Sequence, residues 1–222
     1  NKAGDWKQSV SAVKQVKAAG LYCRYSQMKA YICTPEELAE EARMLECEGV
    51  DAITIMDSAG TMMPADAAAY VEALKEKVSV PVGFHGHSNL GLSQANAMAA
   101  ANAGADEIDC GLLGMARSAG NCSTELAAAV FVRENRLDGV KLYELLEYLD
   151  GELIPEMKKL DYRPAVMPID LILGLSGAHS SFLPLFKRAA QENNVSLYKL
   201  IVDVSSKDRK APSEELIRKT AQ

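Results

Sequence analysis

Histidine is scarce in this sequence. The 222 residues hold three, His85, His87 and His179, so imidazole chemistry has few places to be. Tryptophan is scarcer still, with a single copy. Cys23, Cys33, Cys47, Cys110 and Cys122 are odd in number, unevenly spaced and without a Cys-x-x-Cys. That pattern argues against a disulfide scaffold and against a zinc knuckle, and the thiols are expected to be small, mostly buried apolar groups. A basic surplus is also missing. The net charge is −6 and the pI about 5.2, which leaves no electrostatic footprint for nucleic acid. No apolar run reaches membrane-spanning length, and nothing reads as a signal peptide. A cytoplasmic chain with neither a membrane nor a nucleic-acid partner is expected. The first residue is Asn1, not methionine, and it leads straight into a helical pattern, so further residues are expected upstream.

What is present is a rhythm. A hydrophobic share of 48% suffices for one large domain, or for one domain with a small appendage. Asp5 to Ala19 reads as a helix with Asp5 as its N-cap and Gly20 as its stop. Leu21 to Ala30 reads as a polar strand. Thr34-Pro35-Glu36-Glu37 is a strong helix start with the residues of a capping box, and Leu38, Ala42 and Leu45 give that helix its inner face. Val50 to Met56 is a short apolar strand of the kind covered on both faces. A helix from Pro64 to about Lys77, a strand from Val78 to His87, a helix from Leu92 to Ala103, a strand from Glu107 to Leu113 and a helix from Thr124 to Arg133 follow. The pace, one unit per roughly 25–30 residues, is that of successive β/α units. After Gly139 the rhythm breaks. Leu142 to Lys159 reads as helix interrupted at Pro155, and Ser181 to Asn193, Leu197 to Val204 and Ser213 to Thr220 read as a small helical module. The division expected is residues 1–137 as a partial β/α barrel and 138–222 as a helical domain.

In β/α folds the chemistry gathers where strands end. Four such ends here are polar: Lys29 and Tyr31, Asp57 and Ser58, His85 and His87, and the loop Gly114–Asn121. His85 and His87 lie two residues apart on a strand, so their side chains leave on one face. Two imidazoles at that spacing suit a divalent metal ion, given a carboxylate from elsewhere; ordinary hydrogen bonding at a strand end is the alternative. Asp57 is either a site residue or a cap for the turn after its strand. Asp109, inside a strand, needs a partner if buried, and reads equally well as structural. The glycines of the 114–120 loop do not have phosphate-binding spacing and are read as letting the backbone pass close to the site. Cys122, at a helix start, would be acidified there, but no base adjoins it.

His85-Gly86-His87-Ser88-Asn89-Leu90-Gly91-Leu92, the loop Gly114 to Asn121 with Glu125 behind it, and Asp57-Ser58-Ala59-Gly60 resemble the last three strand ends of the metal-dependent TIM-barrel pyruvate aldolases and lyases. Leu173 to Phe182 is similar to the entry into the C-terminal domain of the 4-hydroxy-2-oxovalerate aldolase family. The resemblance implies a TIM-type (β/α)8 barrel of which only the second half, about four units, lies in this chain, followed by a small α-helical domain. It implies a divalent-metal-dependent aldolase, with Mn2+ or Mg2+, that cleaves a 4-hydroxy-2-oxo acid to pyruvate and an aldehyde, as in aromatic hydrocarbon catabolism. By resemblance His85 and His87 are metal ligands and Asn89 orients them. Asn121 and Arg117 meet the substrate, with Arg117 facing either a carboxylate or solvent. Asp57 and His179 are catalytic candidates, His179 standing where the family carries a tyrosine. A homo-oligomer and an acylating aldehyde dehydrogenase partner are implied too. The family's Arg-Asp motif of the first barrel strand is absent from these residues. The alternatives are a non-catalytic or dimer-assembled half-barrel, and a Claisen-type synthase or acyl-CoA lyase of the same superfamily.

Overall fold

A computed structural model describes the chain except residues 117–118, 163–167, 170–171, 173–175, 177, 179–181 and 209–210. Two compact units result, Asn1–Ala127 and Ala128–Gln222. The first alternates helices and strands: α1 (Val10–Ala18), β1 (Arg24–Gln27), α2 (Pro35–Cys47), β2 (Ala52–Asp57), α3 (Pro64–Lys77), β3 (Val82–Gly86), α4 (Ser93–Asn102) and β4 (Glu107–Asp109). Helix α5 (Thr124–Arg133) crosses from the first unit into the second. The strands form one parallel sheet in the order β1-β2-β3-β4.

Local chemistry explains most boundaries. Thr34 accepts from the Glu37 amide and Glu37 reaches back to the Thr34 amide, closing a capping box behind Pro35. Leu38, Ala42 and Leu45, one helical face, are fully buried. The N-terminal helix departs from expectation. Asp5 makes no side-chain cap; a 3-10 turn, Trp6–Ser9, precedes α1, and the Asp5 carboxylate pairs instead with Lys2 at 3.0 Å. The polar strand is also shorter than its pattern. It stops at Gln27, because Lys29 turns into the left-handed region at φ 57° and Ala30–Ile32 forms a 3-10 turn.

Strand alternation and register give the sheet two unlike faces. Ser26 is level with Thr54, Thr54 with Gly83 and Gly83 with Glu107; one step on, Met56 is level with His85 and His85 with Asp109. Residues two apart share a face, so Arg24, Ser26, Thr54, Met56, Gly83, His85, Glu107 and Asp109 form one polar face. The other carries Tyr25, Ile53, Ile55, Val82 and Phe84, which pack with Leu38, Leu45, Val71, Leu74 and Ala100 of the helices. Each fully buried Val, Leu, Ile or Phe among them contributes about 1.5–3 kcal/mol, so the helix-side face holds the unit together. The polar face is left for chemistry.

The second unit is helical over its described residues: α6 (Leu142–Tyr148), α7 (Ile154–Lys158), α8 (Leu183–Asn193), α9 (Leu197–Lys207) and α10 (Glu214–Ala221). The interruption expected at Pro155 takes the form of a π turn at Leu149–Leu153. Proline has no N–H to give the carbonyl four residues back, and a widened turn accommodates the loss. Leu146, Leu149, Ile154, Phe186, Ile201, Val204 and Ile217 are buried, and Ser213 caps α10 by accepting from the Leu216 amide at 3.1 Å.

Candidate functional site

The end of β3 carries the histidine pair. His85 lies within the strand and His87 one residue beyond Gly86. Their ring centroids are 5.2 Å apart, at 64° to one another, and the residues are 8% and 6% exposed. Both rings are therefore nearly withdrawn from water. His85 Nδ1 is 2.8 Å from Asp109 Oδ2 on β4.

A wedge of backbone brings in the next group. β4 pairs with β3 only as far as Asp109. Beyond it, residues 121–123 come between the two strand ends. The Cys122 amide donates to Gly86 O at 3.0 Å, the Gly111 amide to Cys122 O at 3.0 Å and the Thr124 amide to Gly111 O at 2.9 Å. An antiparallel bridge joins His87 to Asn121, and the Ser88 amide donates to Gly120 O at 2.9 Å. Asn121 thus arrives beside His87. Its Oδ1 is buried and has no hydrogen-bond partner among the described residues. An orphaned acceptor costs about 1–3 kcal/mol, which a donor or a cation at that place would recover.

The loop that delivers Asn121 is held under strain. Leu113, a buried leucine, sits at φ 56°, a conformation unfavourable for a side chain of that kind. Its amide donates to Glu125 Oε2 at 3.0 Å. Burial raises the Glu125 carboxyl above its ordinary range. Gly60 serves on the other side of the site. At φ 58° a Cβ there would lie 2.5 Å from Asn89 N and 2.7 Å from His87 O, so only glycine lets the Asp57–Gly60 turn lie against the backbone after β3.

The remaining sequence candidates are placed as follows. Asp57 is level with Gly86, not with His85, and so leaves β2 on the helix side. It is fully buried; Oδ1 accepts from the Thr61 amide and Oδ2 from the Met62 amide, each at 3.0 Å. The fold does not bring its carboxylate to the face of His85. Asn89 is exposed in the loop after His87. Arg117 and His179 lie outside the described residues. Cys122 is buried and adjoins Cys110 in the wedge. The hydrogen bond with Cys110, then burial, push the Cys122 thiol well up, so the helix start does not make it a thiolate; the Cys110 thiol is lowered by the same bond. Of the five cysteines, Cys23 and Cys122 are buried, while Cys47 is exposed. The contact most readily missed from sequence is Asp109 with His85. It depends on β3–β4 register, which no local pattern encodes.

The donor set suits a divalent ion in part. Two imidazoles lie close enough to share one ion, a carboxylate supports one of them, and Asn121 offers an unused oxygen. Among the described residues no group of three or more His, Cys, Asp and Glu side chains is placed to hold a metal, so a carboxylate from outside them is needed to complete the set. Alongside, Arg24, Glu107, Ile108, Asp109, Cys110 and Thr124 line a cleft of about 530 Å³, within the size range of small-ligand sites.

Among known proteins, the 4-hydroxy-2-oxovalerate aldolase of Chloroflexus aurantiacus is 41% identical over 190 residues, 86% of this chain and 54% of that one. The enzyme of the same name from Carboxydothermus hydrogenoformans is 35% identical over 206 residues, 92% of this chain and 60% of that one. The chain thus spans a little over half the length of these relatives. The crystal structure of hydroxymethylglutaryl-CoA lyase from Pseudomonas aeruginosa matches with a TM-score of 0.64 at 18% identity, over 76% of this chain and 59% of that one. At that identity the likeness speaks for the fold, a TIM-type barrel of which four parallel β/α units are present here. The model of the HMGL-like family matches residues 3–150, all four strands and the histidine pair included, and the chain belongs to that family.

Proposed function

We propose that this chain carries the histidine half of the active site of a divalent-metal-dependent aldolase, which cleaves a 4-hydroxy-2-oxo acid to pyruvate and an aldehyde. The observation that carries the reading is the convergence of His85, His87 and the orphaned Asn121 Oδ1 at one strand end. The relatives' name, 4-hydroxy-2-oxovalerate aldolase, supports the reaction class. His85 and His87 would hold the ion, Mn2+ or Mg2+, together with a carboxylate from outside the described residues. When bound, the ion supplies Lewis acidity toward the oxygens of the 2-oxo acid.

The chain's own groups have separate tasks. The rings of His85 and His87, nearly closed to water, keep the site dry enough for charge to matter. Asn121 presents an amide whose oxygen can accept from the substrate or lie against the ion, and its position is set by the wedge and not by a free side chain. Cleavage requires removal of the 4-hydroxyl proton, breakage of the C3–C4 bond with release of the aldehyde, and return of a proton to the pyruvate carbon. His179 is assigned to proton transfer and Arg117 to the substrate carboxylate on sequence grounds alone. Asn89 is assigned to orienting the residues around His87. For Asp57 we favour holding the 57–62 turn, given its two amide contacts, over proton transfer.

In the same reading residues 1–137 belong to the barrel, and residues 138–222 dock an acylating aldehyde dehydrogenase that consumes the aldehyde. The enzyme is a cytoplasmic homo-oligomer. The test is pyruvate release by the full chain with Mn2+ and a 4-hydroxy-2-oxo acid, with His85→Ala and His87→Ala each expected to lower the rate at least about 100-fold. Rates unchanged in both variants would sink the proposal. Pyruvate formed only from an acyl-CoA substrate would favour the lyase alternative.

One observation favours a second reading. Among the described residues β1 and β4 are the outer strands of the sheet, with only Asn1–Ala3 bonded along the end of β1, and such edges invite another strand. A half-barrel completed by a second copy would elute as a tight dimer whose dissociation abolishes metal binding.

A further inference from the structure

β4 turns two carboxylates to the polar face, Glu107 and Asp109, and the fold separates their duties. Glu107 pairs with Arg24 of β1. Asp109, level with His85 in the β3–β4 ladder, is left to the imidazole and lies 2.8 Å from Nδ1. An ionised carboxylate only accepts, so the nitrogen facing it is the one that carries the proton. In a neutral ring that leaves Nε2 with the lone pair, and it is a lone pair that a cation takes. A histidine without such a partner samples both tautomers and two ring orientations, of which one combination suits binding.

We infer that Asp109 is a positioning residue: it holds His85 as the Nδ1–H tautomer, with the ring turned so that Nε2 is the ligand nitrogen. The inference rests on the proposed metal reading and adds to it the group that prepares one of its ligands. His85 is nearly buried, whereas the Asp109 side chain is 53% exposed. Its contribution is therefore to orientation and not to the stability of the sheet. Outer partners of this kind typically alter metal affinity 10–100-fold.

Two measurements on the full chain test it. Nitrogen-15 NMR of the metal-free protein should show His85 protonated at Nδ1 in the wild type, and a tautomer mixture in Asp109→Ala. Mn2+ titration should show affinity lowered about 10–100-fold in Asp109→Ala and less in Asp109→Asn, whose amide oxygen still accepts from Nδ1. Thermal melts close to wild type in both variants would separate positioning from folding; should Asp109→Ala unfold, the Asn variant and the wild-type tautomer decide. A wild-type His85 protonated at Nε2, or an Asp109→Ala affinity within about twofold of wild type, overturns the inference. His85→Ala separates the two claims. If it loses Mn2+ while Asp109→Ala does not, the inference alone fails; if it binds Mn2+ as wild type does, the metal reading fails as well.

Discussion

Arg24 and Glu107, on the two outermost strands of the sheet, form an ion pair across its polar face. Side chains leave a sheet roughly perpendicular to it, and three strand spacings separate these strands, so they meet only because the sheet curls toward that face. Gly83, on β3, one of the two strands between, makes room: a Cβ there would lie 3.0 Å from Thr54 Oγ1 and 3.7 Å from Arg24 Nη1. Both charged side chains remain 38% exposed, so solvent screens the pair. Glu107→Gln should therefore cost less than about 1 kcal/mol in urea unfolding. Gly83→Val should cost more, since its branches overlap Thr54 and displace Arg24. A larger loss for the charge variant than for the valine variant would refute this ordering.

Gly60 offers a sharper steric test. Its backbone is left-handed, and the atoms a Cβ would strike are the backbone of residues 87 and 89, which cannot swing aside as a side chain can. Gly60→Ala should lose about 2 kcal/mol or more, from the left-handed penalty and the overlap together. Because the strain falls on the segment behind His87, hydrogen exchange of the 87–91 amides should quicken more than that of α2. Uniform quickening across the unit would count against a local effect.

Much of this architecture could be read from local pattern, and what could not has a common cause. The Thr34 box, the inner face of Leu38, Ala42 and Leu45, and the span of α5 depend on residues a few positions apart, and they stand as read. Asp5 does not cap: its backbone, at φ −107° and ψ 19°, leaves the extended conformation an N-cap takes, and a 3-10 turn follows it. The shared face of His85 and His87 follows from strand alternation alone. The separation of Asp57 from His85 does not. It comes from the register of β2 on β3, in which Asp57 is level with Gly86. The pairing of His85 with Asp109 and the wedge at 121–123 likewise depend on register between strands whose contacts span twenty residues or more, and no short window carries that information.

Glu41 gives the fold a pH dependence of definite sign. Its carboxyl is buried beside Gln27 and accepts from the Gly4 amide at 2.5 Å and from the Gln27 amide at 3.3 Å. Burial raises it above the ordinary 4.5, and the two hydrogen bonds only partly offset this. A carboxyl raised on folding binds its proton more tightly in the native state. Its contribution is then full below pH 4.5 and is lost as pH climbs through the raised value. Glu41→Gln removes that titration and keeps an acceptor for Gly4. The variant's melting temperature should gain on the wild type as pH rises from about 4.5 toward neutrality, with little difference below. A gap that narrows with rising pH would show that Glu41 is stabilised as the anion.

Asp57 separates two roles that predict different losses. Its oxygens each hold one amide of the turn, Thr61 and Met62, and its backbone carbonyl accepts from the His87 amide at 3.2 Å. If the carboxylate serves the turn, Asp57→Asn keeps one acceptor and sets an amide N–H against the second donor, a buried mismatch worth about 1–3 kcal/mol. Stability should fall by that order, and Asp57→Ala should fall further because both amides lose their partner. Pyruvate release per folded molecule should fall less than about tenfold in the Asn variant, with the shape of its pH profile unchanged. If Asp57 instead transfers the proton, stability would hold, the rate would drop by several orders of magnitude, and one limb of the pH profile would vanish. The buried position on the helix side of β2, a full residue out of step with His85, favours the first outcome, and unfolding and rate measurements on the same two variants decide between them.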